Sequence, residues 1–177
     1  DAICHSFTTI ATAGFSTKTA SIGAYNDLIQ WTIIFFMFLA ATNFSLHYYF
    51  IAKGQLKYFK DREFKVYLSL VFFCALLFII NISSTDNYSF SFNTVKNSLF
   101  TSVSLITTTG FSVDDFNMWP EMSKTLIFFL LFIGGSAGST TGGMKIIRSI
   151  LVFRYLVYEV RKLLHPKGVF NITIGER

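Results

Sequence analysis

The chain has 177 residues, 52% of them hydrophobic and only 14% charged, with 22 phenylalanines and a mean hydropathy of +0.50. A soluble domain carries about 25% charged residues, so a water-soluble globule is a poor reading and a disordered chain is excluded. Two prolines and two cysteines remove collagen-like and disulfide-scaffold classes, leaving a membrane as the solvent that fits this composition.

The net charge of +5 is concentrated in two blocks. Five of the 15 basic residues fall in 53–65 (KGQLKYFKDREFK) and seven lie from Lys145 onward. A nucleic-acid binder keeps its basic stripe within a polar domain. Here the blocks flank apolar runs, so both are expected in the cytoplasm by the positive-inside rule, and nucleic acid is not an expected partner. The chain opens at Asp1 without Met or a basic leader, which is expected of a segment of a longer protein. Cys4 and Cys74 read as small buried hydrophobes.

In chain order, residues 2–11 form a short, Ser/Thr-containing apolar segment, suited to a re-entrant half-helix rather than a span. Residues 28–50 are uncharged over 23 positions and are expected to form one continuous spanning helix. The basic loop 53–65 follows, then a second span over 66–82. Residues 98–107 repeat the short half-helix pattern. Residues 125–138 begin apolar and fade into glycine, and a mixed helical stretch covers 144–164. With 53–65 inside, 28–50 runs inward, 66–82 returns, and the segments after both half-helices lie toward the outside.

The chain repeats itself. TTIATAGFST at 8–17 aligns without gaps on SLITTTGFSV at 104–113, an offset of 96 that places Thr12 on Thr108, Gly14 on Gly110 and Phe15 on Phe111. Non-helical backbone at membrane depth is tolerated only in protein or beside a watery cavity. Glycine frees the backbone so that carbonyl oxygens can turn inward and replace a cation's hydration shell. The negative end of each half-helix favours a cation nearby. Thr12, Ala13 and Gly14, with Thr108, Thr109 and Gly110, are therefore candidate filter residues. A plain helix-capping turn is the alternative.

Residues 134–143 (GGSAGSTTGG) hold five glycines, and the offset of 96 maps them onto 38–47, inside the expected continuous helix. Five glycines bias against helix by about 5 kcal/mol. An intramembrane loop is expected, with Gly134, Gly135, Ser136, Gly138, Ser139, Gly142 and Gly143 as its gate residues. Close helix packing through small residues is the alternative.

Other chemistries fit less well. Residues 134–138 match G-x-S-x-G, so an intramembrane serine hydrolase using Ser136 needs a histidine base, for which His5 and His47 are the candidates. Residues 138–145 lack the Lys-Ser/Thr ending of a phosphate loop, and no metal-ligand cluster is spaced for coordination. A non-transporting membrane assembly subunit accounts for the spans but not for two matched re-entrant segments. Lys145, Arg148, Arg154 and Arg161 either anchor the last helix at anionic lipid or couple the gate to a cytosolic regulator.

The repeated T-x-G-F-S, the tract IGGSAGSTTGGMKIIR (133–148) and LLHPKGVF (163–170) resemble the Trk/Ktr potassium-uptake family, TrkH-type membrane subunit, over essentially the whole chain. The resemblance implies an all-α integral membrane protein: helix, re-entrant pore loop and helix repeated around a pseudo-fourfold pore, with about two of the four repeats present. It implies 1–52 as the end of the second repeat, 53–65 as a cytoplasmic loop, 66–164 as the third repeat and 165–177 as a cytoplasmic linker. It further implies a non-enzymatic potassium-uptake protein of the bacterial inner membrane, with potassium at the filter residues as the transported substrate and no covalent cofactor. A homodimer is implied as well, together with a TrkA-like cytosolic ring that carries any regulatory nucleotide. Asp114 and Asp115 align with Lys18 and Thr19, so no symmetrical acidic ring stands at the outer mouth.

Overall fold

A computed structural model describes residues 1–84 and 91–164. The expected segment 165–177 lies outside the described residues. Among the described residues seven α-helices follow one another: α1 (Ala2–Ile10), α2 (Asp27–Ala40), α3 (Phe44–Lys53), α4 (Arg62–Ser83), α5 (Phe92–Ile106), α6 (Glu121–Leu130) and α7 (Ile146–Leu164). The described residues contain no sheet, only a one-residue bridge between Ile133 and Met144.

Apolar sequence and local caps set these boundaries. Asp61 caps α4 by accepting from the Phe64 amide at 2.7 Å, and Asn26 caps α2 by accepting from Ile29 at 3.3 Å. At 22 residues, α4 is the one described helix long and apolar enough to cross a bilayer by itself. α5 packs between α4 and α2, with α1 against α2 and α6 against α4. Phe78, Phe100, Val103, Ile106, Met37 and Tyr67 form part of the shared core.

Two expectations are corrected. The helix over 28–50 is not continuous: α2 and α3 meet at a bend of 96° across residues 41–43. Neither Gly nor Pro breaks it. Asn43 starts α3 by accepting from the Ser45 amide at 2.9 Å, while Thr42 Oγ1 turns back to the Phe38 carbonyl at 3.0 Å. The freed backbone groups find partners elsewhere: Ala41 O accepts from Ser136 N at 3.0 Å, and Phe44 N donates to Gly138 O at 3.0 Å. Under the offset of 96, residues 41–43 fall on 137–139, so the short break of the earlier copy lies within the longer break, 131–145, of the later one.

The second half-helix is longer than residues 98–107, because α5 begins at Phe92 and has 15 residues. Its first turns are polar and gave no apolar signal. They are stabilised by tertiary partners, chiefly Lys96, which is 5% exposed and meets the Asp27 carboxylate at 2.5 Å.

Candidate functional site

The two T-x-G-F-S segments are built alike. Thr12 (φ 50°) and Thr108 (φ 54°) are both left-handed, as are Gly14 (φ 70°) and Gly110 (φ 82°). A non-glycine residue at positive φ is uncommon, and a β-branched one more so. Local hydrogen bonds hold each of them there. Ala13 N donates to Thr8 O at 2.9 Å, and its counterpart Thr109 N donates to Ser104 O at 3.0 Å. Thr8 Oγ1 reaches Phe15 O at 3.0 Å, and its counterpart Ser104 Oγ reaches Phe111 O at 2.7 Å. The sequence repeat is thus a repeat of backbone geometry.

The segments also touch. A Cβ on Gly14 would stand 1.9 Å from the Thr109 carbonyl oxygen, so only glycine permits this approach. At Gly110 a Cβ would meet nothing within 4 Å. Beyond these two turns, Ile22 N and Gly23 N donate to Ser112 O at 3.0 and 3.2 Å, clasping the later segment from the earlier one. His5 Nε2 lies 2.9 Å from Ser16 Oγ and His5 packs edge-on against Tyr25.

The glycine tract runs without helix between α6 and α7. Its neck is closed by Gly134 N to Met144 O at 2.9 Å and Met144 N to Phe132 O at 3.1 Å. A Cβ on Gly134 would stand 2.1 Å from Gly142 O, so the neck needs glycine. Thr141 Oγ1 gathers Gly135 N at 3.1 Å, Ser139 Oγ at 2.8 Å and Lys145 Nζ at 2.8 Å. Ser139 Oγ donates onward to Ser136 O at 2.6 Å, and Lys145 Nζ also donates to Thr141 O. Two donors enter the Thr141 hydroxyl, and its own proton passes to Ser139, so the chain of bonds closes.

The loop bonds to both T-x-G-F-S segments. Thr12 Oγ1 lies 3.0 Å from Thr140 O, and Gly142 N donates to Thr108 Oγ1 at 2.7 Å. Thr140 Oγ1 reaches Ile10 O at 2.8 Å and Ala40 O at 3.2 Å, tying α1 and the end of α2 to the same loop. From α4, one oxygen of the Glu63 carboxylate accepts from Ala137 N at 2.7 Å and Ile147 N at 3.2 Å.

The candidate filter and gate residues are therefore contiguous. The basic residues are more dispersed: Lys145 bonds the loop, Arg148 is exposed, and Arg154 and Arg161 share one face of α7 by their seven-residue spacing. Glu63, Asn43, Thr140 and Thr141 were missed by sequence reasoning. Asn43 carried a usable signal, a strong N-cap residue inside an apolar run. Glu63 was masked by the basic block around it.

The geometry does not support a hydrolase. Ser136 Oγ is buried and has no hydrogen-bond partner among the described residues. His5 is engaged with Ser16, while His47 lies between the Tyr58 hydroxyl at 2.8 Å and the Leu39 carbonyl at 3.0 Å. Burial raises the Tyr58 hydroxyl above its ordinary range, so it stays protonated.

Comparison with known proteins agrees in sequence and in shape. The profile of the TrkH family, described as cation transport protein, matches residues 1–95 and 90–177. The Trk system potassium uptake protein TrkH of Escherichia coli K12 is 37% identical over 179 residues, covering 100% of this chain and 37% of that protein. The protein TrkI of Halomonas elongata is 34% identical, with 96% of this chain and 35% of that protein covered. The crystal structure of the potassium transporter TrkH from Vibrio parahaemolyticus superposes with a TM-score of 0.92 at 38% identity, over 99% of this chain and 38% of that one. The chain thus spans a little over a third of the relatives it matches, and over its whole length it belongs to the TrkH family of cation transport proteins.

Proposed function

We propose that the full-length protein takes up potassium across the bacterial inner membrane. Its ions pass backbone carbonyls at Thr12, Ala13, Gly14, Thr108, Thr109 and Gly110, and the 134–143 loop gates them. The observation that carries this reading is the pair of bonds from Thr12 and Thr108 to the loop, which ties an obstructing segment to the two glycine-bearing turns. The C-terminal ends of α1 and α5 lead into these turns, adding partial negative charge where a cation would pass. Thr141 and Lys145 brace the loop from within, so its closed form needs no ligand.

The basic loop 53–65 and the segment after α7 are cytoplasmic in this reading. The protein works as a homodimer, with a cytosolic nucleotide-binding ring acting on α7 and its approach through Lys145, Arg148, Arg154 and Arg161. Potassium is its transported substrate, and any nucleotide stays on the partner. The names of the matched relatives, which are potassium uptake proteins, support the choice of potassium as substrate.

Rubidium uptake into liposomes holding the full-length protein, with potassium and sodium as competitors, tests the reading. Uptake blocked by potassium and spared by equal sodium is expected. Absence of uptake, or equal competition by sodium, overturns it.

A further inference from the structure

We propose that Glu63 is a positioning residue that locks the gate loop to α7, so that the loop and the last helix are released together. The inference rests on the gating role given to 134–143 above.

The sequence of α7 leaves its start without help. Its first turn holds no acidic residue, and Lys145, which precedes it, has no side-chain acceptor to cap with. The first amides of a helix need partners from outside. Here two come from elsewhere, Ile146 N donating to Gly135 O at 3.1 Å and Ile147 N to Glu63 at 3.2 Å, while Arg148 N turns back to the adjacent Lys145 O at 2.8 Å. Glu63 thus caps α7 from another helix, and its negative charge suits the positive end of the α7 dipole.

The same carboxylate oxygen takes the Ala137 amide, in the middle of the loop, at 2.7 Å. Glu63 is only 8% exposed, and among the described residues it forms no ion pair. A buried carboxylate is an acceptor only and forms stronger hydrogen bonds than a neutral amide does. A glutamine there would offer one weaker acceptor and an NH2 facing donors.

One atom therefore serves two moving parts. If α7 is drawn away, Glu63 loses Ile147, and its hold on Ala137 is disturbed with it. The anchor for both bonds is the first turn of α4, directly after the connection 54–61 from α3, so displacement of that connection reaches the gate by the same route. Lys145 makes no hydrogen bond to Glu63; its hydrogen bonds stay within the loop, on Thr141.

The test compares wild type, Glu63→Gln and Glu63→Ala as full-length protein in liposomes without a regulator. It reads basal rubidium uptake and hydrogen–deuterium exchange. Exchange over 134–147 should rise in the order wild type, Glu63→Gln, Glu63→Ala, with α5 and the middle of α4 still protected. Basal uptake should rise in the same order, by roughly 5- to 30-fold for the alanine variant, the population change that follows loss of such a bond. Three outcomes overturn the proposal: unchanged exchange over 134–147 in Glu63→Ala; a looser loop with wild-type uptake; or general loss of protection in Glu63→Ala while Glu63→Gln matches wild type in both readouts. If wild type itself moves no rubidium, the conduction reading fails instead, and exchange alone still decides whether Glu63 holds the loop.

Discussion

Thr12 and Thr108, 96 residues apart and both in left-handed backbone, grip one loop with opposite hydrogen-bond polarity. The Thr12 hydroxyl faces the Thr140 carbonyl at 3.0 Å, whereas the Thr108 hydroxyl accepts the Gly142 amide at 2.7 Å. Equivalent positions of the repeat thus meet non-equivalent atoms of a single asymmetric loop.

Replacing Thr108 by Val keeps the shape and removes the acceptor. The Gly142 amide is exposed and can turn to water, so only the net value of the bond is lost, about 0.5–1.5 kcal/mol, which weights the closed loop less by roughly 2- to 12-fold. Basal rubidium uptake should rise in Thr108→Val and stay near wild type in Thr108→Ser. Equal uptake in all three proteins would mean that this bond does not hold the gate.

The two proposed filter glycines should respond differently to a side chain. Gly14→Ala drives a Cβ into the Thr109 carbonyl and should abolish folded protein, seen as loss of a monodisperse peak on size exclusion. Gly110→Ser meets open space, and its left-handed φ costs only roughly 1–2 kcal/mol. It should fold and lose preference for potassium over sodium. Unchanged selectivity in folded Gly110→Ser protein removes Gly110 from the filter.

Asn43→Ala deletes the cap of α3, a loss of about 1 kcal/mol. The melting temperature should fall by a few degrees, and Asn43→Asp, which keeps the acceptor, should restore it. A melting curve that ignores both variants would show that the bend is held by the loop contacts alone.

Ser136→Ala removes a hydroxyl that has no partner among the described residues, so stability should hold or rise slightly. Rubidium uptake should remain within about two-fold of wild type, since one unpaired hydroxyl carries little energy. Loss of uptake with folding intact would give Ser136 a role that its surroundings do not suggest.

Much of this architecture was legible in the chain. The gapless repeat announced two turns of the same geometry, and the structure has Thr12 and Thr108, Gly14 and Gly110 at matching positive φ. The uncharged run at 66–82 announced α4. The bend after Ala40 was not legible, because apolar counting sees no difference between a helix that continues and one that turns to receive a neighbour. The outer half of α5 was missed for a related reason: Lys96 and its neighbours look like loop until Asp27 supplies the partner that lets a lysine be buried.

Sequence alone determined the membrane class, the repeat and the places where glycine interrupts helix. These are local properties, set by hydropathy along the chain and by the cost of glycine in a helix. Tertiary structure decided what the interruptions bond to. Residues 41–43 break because Ser136, Gly138 and Thr140 supply partners for the backbone groups around them, and α7 begins where Glu63, 84 positions before Ile147, accepts its amide. A buried amide must find an acceptor, but nothing in the local sequence says which distant residue will provide it.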